Sequence, residues 1–184
     1  MIIRDQFDPD LRKIIKKKKQ IAIIPVGSIE QHGPHLPIST DSDIVTEIAT
    51  KLSERINGVL LPTITYGISD EHFPFFNLSI KKSTLSRMLW DLCESLIKNG
   101  ISRILIINGH HGNLDSLKSF EKKQKKNRRI KIFSYWKYME REFDHAGNVE
   151  TSIMLAISKN VNMKKAKKGF QTDGMSKQEI SKIN

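Results

Sequence analysis

The sequence of 184 residues contains one cysteine, Cys93, and no apolar run near the ~20 residues that cross a bilayer. Cys93 cannot form an internal disulfide, which is typical of a protein from a reducing compartment. The first residues also lack the basic-then-apolar pattern of a secretory signal. We therefore expect a cytoplasmic protein with no membrane partner.

Motifs of several common mechanisms are missing. The chain has no Gly-x-Ser-x-Gly elbow for a serine nucleophile and no Gly-x-x-x-x-Gly-Lys-Ser/Thr loop for nucleotide phosphates. Cys93 falls on the apolar face of a predicted helix, where a thiol is normally inert. A serine or cysteine nucleophile is therefore disfavoured.

Acidic residues are too few to balance the basic ones, and the formal net charge is +11. A basic surface can keep a protein soluble, attract an anionic substrate or bind nucleic acid. Solvated helix ends and loops are the preferred explanation here, and attraction of a phosphorylated substrate is the second. Nucleic acid ranks third because no aromatic residues interleave with the basic runs. We expect a small-molecule substrate and no nucleic-acid partner.

Apolar runs of strand length alternate with patterns of helical period. The strand-like runs are residues 21–26, 58–64, 103–107 and 130–135, and the helical patterns cover residues 8–19, 44–52, 85–97, 113–126 and a segment from about residue 148. This alternation predicts a single α/β domain over residues 1–184 with helices on both faces of a parallel sheet. Ligands of such folds bind outside the carboxyl ends of the strands. Trp90, beside an apolar helical stripe, is expected in the core.

The first polar loop follows the strand at residues 21–26. It contains Glu30, His32 and His35 between Gly and Pro residues and leads to Asp41, just before a helix. Glu30 and His32 are two residues apart, so an extended segment would point both to one side, where they could share a metal. Asp41 alone would be better explained as a helix N-cap, and either histidine alone as a hydrogen-bonded loop residue. Their occurrence together favours a site in which Asp41 could bridge two ions.

The second polar loop, residues 108–113, places His110 and His111 between two glycines directly after a buried-type strand. Glycines let the backbone turn sharply, so one imidazole could point inward. The simpler alternative is a glycine turn with exposed histidines. The functional explanation is preferred because four of the six histidines lie in these two loops.

The third polar segment, residues 144–152, carries His145 and Glu150 at the start of the last helix. The helix dipole alone would justify an acidic residue in a first turn. Alternatively, Glu150 is a metal ligand or acid–base group and His145 is a proton donor. The spacing supports the two explanations equally.

A fourth segment, residues 69–77, could shape a pocket or a subunit contact. It contains two acidic residues and a histidine next to several aromatic residues, which more often pack than react. From this segment Glu71 and His72, together with His111 from the second loop, are assigned to substrate binding.

These motifs together resemble the creatininase (creatinine amidohydrolase) family. The match extends from about residue 20 to residue 158, and its long first stretch is the most specific part. It rests on Pro25-Val26-Gly27-Ser28-Ile29-Glu30-Gln31-His32-Gly33-Pro34-His35-Leu36-Pro37 with Thr40-Asp41, on Asn108-Gly109-His110-His111-Gly112-Asn113, and on His145-Ala146-Gly147 with Glu150-Thr151-Ser152.

The resemblance implies a three-layer α/β/α sandwich with a mostly parallel sheet, assembled as a homo-oligomer and often as a hexamer. It implies that His145 serves the leaving group. The implied ligands of one or two divalent ions are Glu30, His32, Asp41 and His110, with Asp41 bridging and Glu150 closing the shell. Oxygen and nitrogen ligands suit zinc, iron(II) or manganese.

Three departures from the family pattern bear on the substrate and the assembly. The family usually has Phe-Pro-Gly-Thr after the Glu-His pair, whereas residues 73–77 read Phe-Pro-Phe-Phe-Asn and are one residue shorter. Relatives commonly continue beyond the position of Asn184, so we expect a shorter C-terminus. Creatininase itself carries a glutamate at the position of Gly112, which argues against creatinine as substrate.

We therefore expect a metal-dependent amidohydrolase that splits a carbon–nitrogen bond other than a peptide bond with metal-activated water. The archaeal deformylase branch is closest in style, and its substrate is 2-amino-5-formylamino-6-ribosylaminopyrimidin-4(3H)-one 5'-monophosphate. The alternatives are hydrolysis of creatinine or another cyclic amide, mycofactocin-type peptide processing, and an inactive regulatory or assembly protein on the same fold.

Overall fold

The computed structural model describes residues 1–17, 20–124, 129–140 and 144–169. Four strands form one parallel sheet in the order β2-β1-β3-β4. The strands are β1 (Ile21–Val26), β2 (Val59–Leu60), β3 (Arg103–Asn108) and β4 (Ile130–Ser134), and the helices are α1 (Asp8–Lys17), α2 (Thr40–Ile56), α3 (Lys82–Lys98), α4 (Leu114–Lys123) and α5 (Asn148–Ile157). The predicted alternation of strands and helices is confirmed in this part of the chain.

Helices cover both faces of the sheet. Successive strand residues point to opposite sides, and both sets are largely apolar and buried in β1 and β3. On one face, Ala22, Ile24 and Val26 of β1 pack with Leu89 of α3 and Phe120 of α4. On the other face, residues of α2 pack against alternate positions of the same strands, and α5 lies against α2. The result is the expected three-layer α/β/α sandwich.

The second strand is shorter than the sequence predicts. An apolar run at residues 58–64 suggested a full strand, but only Val59–Leu60 pairs continuously with β1. Pro62 has no N–H to donate to a neighbouring strand, so the ladder is interrupted and resumes as a single bridge between Val26 and Ile64.

Two other predictions differ in detail. Trp90 was expected in the core but is 38% exposed, because it lies one residue past the buried Leu89 and so about 100° around α3. The predicted fourth strand ends at Ser134, and a 3₁₀ turn, Tyr135–Tyr138, begins there. Residues 18, 19, 125 and 126 of two predicted helices lie outside the described residues.

The polar loops leave the carboxyl ends of β1, β2 and β3 at one edge of the sheet. Asn113 joins them, since its fully buried amide accepts a hydrogen bond from the Ile68 N–H at 3.0 Å and donates one to the Gly27 carbonyl at 3.0 Å. In the described ranges, no helix is long and apolar enough to span a bilayer.

Candidate metal centre

Asp41 lies at the middle of the centre, in the first turn of α2. Its Oδ1 is 3.2 Å from Nε2 of His32, and its Oδ2 is 2.8 Å from Nδ1 of His110. All three side chains are almost fully buried. One carboxylate therefore faces two imidazoles from separate loops, which is the geometry expected of a bridging ligand.

The second ring nitrogen of each histidine contacts a backbone carbonyl. Nδ1 of His32 lies 3.2 Å from the Glu30 carbonyl oxygen, and Nε2 of His110 lies 2.7 Å from the Ile68 carbonyl oxygen. A carbonyl can only accept, so these two nitrogens carry the ring protons. In the neutral rings, lone pairs then face the oxygens of Asp41, and a proton or a cation is needed between them.

Glu30 and Glu150 complete the acidic part of the centre. Glu30 Oε2 accepts a 2.7 Å hydrogen bond from the buried Ser28 hydroxyl and lies 3.2 Å from His110 Nε2. Glu150 Oε2 accepts the Ala146 N–H at 2.7 Å and lies 3.6 Å from His32 Nε2. Each carboxylate is thus held by one short hydrogen bond, and within the described residues Glu150 Oε1 has no hydrogen-bond partner.

The side chains form overlapping groups that fit a divalent ion. Ligand atoms lie within 4.8 Å of one another in the group of Glu30, Asp41 and His110 and in the group of His32, Asp41 and Glu150. A third group contains Glu30, His32 and His145. Within the described residues, no hydrogen-bond partner satisfies three buried atoms, His32 Nε2, Asp41 Oδ2 and Glu150 Oε1. Buried polar atoms are normally paired, so their convergence fits a cation.

The electrostatics of the metal-free centre favour an acid–imidazole cluster. Burial alone would lower the pKa of His32 and His110, but contact with Asp41 and its charge raise both to about 9. Burial alone would raise the pKa of Asp41, but the two histidines hold it far below its usual range. Burial raises the pKa of Glu150 to about 7 against the opposing charge of His32. Protons therefore occupy, in this state, positions that a metal would take.

His145 stands beside the cluster without being part of its buried core. Its ring centroid is 4.6 Å from that of His32 and 4.8 Å from that of His72. Burial of the ring and the charges of His32 and His72 lower its pKa to about 4. His145 is therefore a neutral imidazole near pH 7, able both to accept and to donate a proton.

The residues predicted to bind substrate lie around this centre. His72 Nε2 is 2.8 Å from Glu30 Oε1, and the half-exposed Glu71 carboxylate is 3.8 Å from His110 Nε2. His111 is exposed and faces Trp136 at 6.1 Å between ring centroids. Two of the three thus contact the acid–imidazole cluster, and His111 lies on its surface side.

Glycine is required where the second loop approaches its neighbours. A Cβ at Gly109 would lie 2.6 Å from Val45 Cβ on α2, so this approach keeps His110 close to Asp41. A Cβ at Gly112 would collide with the Ile68 carbonyl and lie 2.5 Å from Glu71 Oε1. A side chain at position 112, such as the glutamate that the resemblance leads us to expect in creatininase, would not fit this backbone.

Several positioning residues were not predicted from the sequence. Ser28 holds Glu30, and Asn113 joins three loops. The expected cap of the last helix was Asn148 or a neighbour, whereas Asp144 accepts the Val149 N–H at 2.9 Å and the Glu150 N–H at 3.2 Å. An Asp four residues before a helix is a weak sequence signal for a cap. The glycine between them was the available clue, because any Cβ at Gly147 would collide with Asp144.

Comparison with known proteins identifies relatives of three activities. A "Mycofactocin precursor peptide peptidase" of Mycobacterium ulcerans is 34% identical over 149 residues, covering 76% of this chain and 59% of the relative. The "Creatinine amidohydrolase" of Pseudomonas putida is 26% identical over 167 residues, covering 74% and 64%. A "2-amino-5-formylamino-6-ribosylaminopyrimidin-4(3H)-one 5'-monophosphate deformylase" of Methanosphaera stadtmanae is 29% identical over 154 residues, covering 81% and 65%. The chain thus spans about three-fifths of the length of these curated relatives.

Solved creatininase structures have the same fold. A crystal structure of creatinine amidohydrolase matches with a TM-score of 0.79 at 20% identity, covering 96% of this chain and 83% of that one. A structure named "Creatininase Mn" and a mutant of Zn-Zn type match equally well. The family model described as "Creatinine amidohydrolase" covers residues 6–182. The sandwich fold, the polar loops at one sheet edge and this match over nearly the whole chain establish that the protein belongs to the creatininase family.

Proposed function

We propose that this protein is a metal-dependent amidohydrolase that splits a non-peptide carbon–nitrogen bond at the Asp41 centre. The observation that carries the proposal is the pair of imidazoles around Asp41, each with its other N–H directed at a backbone carbonyl. Metal-binding histidines commonly have this arrangement, which fixes the tautomer and turns the free lone pair toward the ion.

The residues would hold one or two divalent ions. Glu30, Asp41 and His110 form one ligand set, and His32, Asp41 and Glu150 form the other. Carboxylate and imidazole ligands suit zinc, iron(II) and manganese without choosing among them. Solved relatives named as manganese and Zn-Zn forms support zinc and manganese as the first to be tested.

The chemistry follows from what the surrounding residues can hold or move. When bound, a divalent ion polarises a carbonyl and lowers the pKa of a water from about 16 to about 7. The proton released by the attacking water is the one that the departing nitrogen takes up, and His145, neutral near pH 7, donates a hydrogen bond from its ring N–H to that nitrogen. Glu150 either completes a ligand set or relays this proton, since its pKa of about 7 permits both states.

A formylamino group on a phosphorylated pyrimidine is the preferred substrate. The net charge of +11 favours an anionic small molecule, and a deformylase relative supports the formamide. Mycofactocin-type peptide processing is the second candidate, because relatives with that name are 34% identical over three-quarters of the chain. Creatinine is disfavoured as the substrate because the backbone at Gly112 has no room for the glutamate expected of creatininase at this position.

A substrate screen on one preparation tests the proposal. The protein is loaded with zinc, manganese or iron(II), and formate, amine or peptide release is measured for formylamino-pyrimidine nucleotides, small cyclic amides, creatinine and a mycofactocin-type precursor peptide. Formate release from the nucleotide supports deformylation, whereas peptide cleavage alone supports the second candidate. Failure to retain any of the three metals supports an inactive regulatory or assembly protein. Cytoplasmic location, hexameric assembly and the lack of a nucleic-acid partner remain predictions.

A further inference from the structure

Gln31 lies between the candidate ligands Glu30 and His32 in sequence but does not point at Asp41. Its amide nitrogen Nε2 is 2.9 Å from Nε2 of His145 and 3.2 Å from Nδ1 of His72. One half-buried side-chain amide thus contacts two imidazoles from two other loops.

The orientation of this amide is fixed by a third contact. The backbone N–H of Gly33 donates to Gln31 Oε1 at 3.1 Å. A flipped amide would place its NH₂ group against that N–H, so two donors would face each other. The NH₂ group must therefore face the rings, and its two hydrogens suffice for one bond to each ring.

The directions of the hydrogen bonds then fix the protons on both rings. His72 accepts at Nδ1, so its proton is on Nε2, which lies 2.8 Å from Glu30 Oε1 and donates to it. His145 accepts at Nε2, so in its neutral form the only ring proton is on Nδ1.

We propose that Gln31 is a positioning residue that selects the Nδ1–H tautomer of His145 and the Nε2–H tautomer of His72. The consequence for catalysis rests on the proposed hydrolytic function. In that function, the N–H that His145 offers to a leaving group is the one on Nδ1. It also separates His145 from the metal ligands, since Nε2, engaged by the amide, cannot bind an ion at the same time.

Nitrogen-15 spectra of the histidines in the full chain, recorded with and without zinc, test this inference directly. We expect wild-type His145 to be protonated on Nδ1 and His72 on Nε2. Gln31→Met keeps the side-chain length but removes the donors, so His145 should become a mixture of tautomers. Gln31→Glu replaces the donors by acceptors. In each ring, the nitrogen that faces residue 31 should then carry a proton. Gln6→Met, at a half-buried glutamine distant from the centre, should change neither ring.

Activity and zinc content of the same samples connect the tautomer to function. Gln31→Met should lower kcat ~100-fold, the lower end of what acid–base catalysis contributes, with zinc content unchanged. A wild-type His145 protonated or zinc-bound at Nε2 would overturn the inference while leaving the metal centre intact. Wild-type protein that binds no zinc would instead refute the proposed function, and its tautomers could still agree with the assignment. If Gln31→Met fails to fold, the wild-type spectrum and the isosteric Gln31→Glu still decide the matter.

Discussion

His110 Nδ1 lies 2.8 Å from Asp41 Oδ2, although the two residues are 69 positions apart in the sequence. The contact joins the loop after β3 to the first turn of α2, and both side chains are buried. A neutral imidazole would turn a lone pair toward the carboxylate here, so the pair needs either a proton or a cation. The metal predictions below depend on the cation taking the place of the proton.

His110 and His145 should respond differently to replacement by alanine. His110→Ala removes an imidazole from the buried ligand set, so bound metal and activity should disappear together. His145→Ala removes the N–H donor for the leaving group, so turnover should fall ~10²- to 10⁴-fold while bound metal stays near the wild-type value. Metal content by mass spectrometry and kcat on the same samples check both. Loss of metal in His145→Ala would show that His145 is a ligand.

The shared position of Asp41 predicts an unequal loss of metal. Asp41 belongs to two ligand sets, whereas Glu150 belongs to one. Asp41→Asn should therefore abolish binding of both ions, and Glu150→Gln should remove only the ion held with His32. Zinc stoichiometry after equilibrium dialysis measures the difference, with Glu54→Gln on the exposed side of α2 as control. Equal losses in the two site variants would contradict a bridging carboxylate.

The fold could be predicted from the sequence because hydrophobic period reports burial directly. β1 at Ile21–Val26 and α3 at Lys82–Lys98 agree with the predicted runs, since each buries a continuous apolar set. The length of β2 and the exposure of Trp90 were predicted wrongly. Both depend on local geometry, namely the missing N–H of Pro62 and the rotation of one residue around a helix.

The sequence predicted that the polar loops lie near one another only because the carboxyl ends of parallel strands meet at one edge of the sheet. Glu30, Asp41, His110 and Glu150 were identified from motifs, and the structure brings them together at the carboxyl edge of the sheet. The hydrogen bonds of Gln31 to His72 and His145 depend on how three loops fold over one another, and no periodicity reports this. The same holds for Ser28, whose hydroxyl could equally have faced solvent.

Metal binding should release protons. In the metal-free protein, His32 and His110 have pKa values raised to about 9, so both rings are protonated near neutral pH. Each ligand set contains one of these imidazoles, so each zinc ion should displace about one of their protons. The affinity for each ion should therefore rise about 10-fold per pH unit between pH ~7 and ~8, above the pKa of Glu150 at about 7. Calorimetric zinc titration in buffers of different ionisation enthalpy measures the release. Affinity independent of pH would show that neither imidazole binds the ion.

The start of α5 should depend on the Asp144 carboxylate. Its two oxygens accept the N–H groups of Val149 and Glu150, which a helix's first turn otherwise leaves unpaired. Asp144→Ala should lower the free energy of unfolding by about 1 kcal/mol, the usual effect of losing a cap, and should loosen Glu150. Asp144→Asn retains an acceptor and should stay closer to wild type in thermal unfolding.

Zinc affinity distinguishes a local effect of Asp144→Ala on Glu150 from a general loss of stability. The control is Asp8→Ala, at the exposed start of α1, which should leave zinc binding unchanged. If both alanine variants bind zinc like the wild type, the cap stabilises the helix without holding Glu150 in the centre.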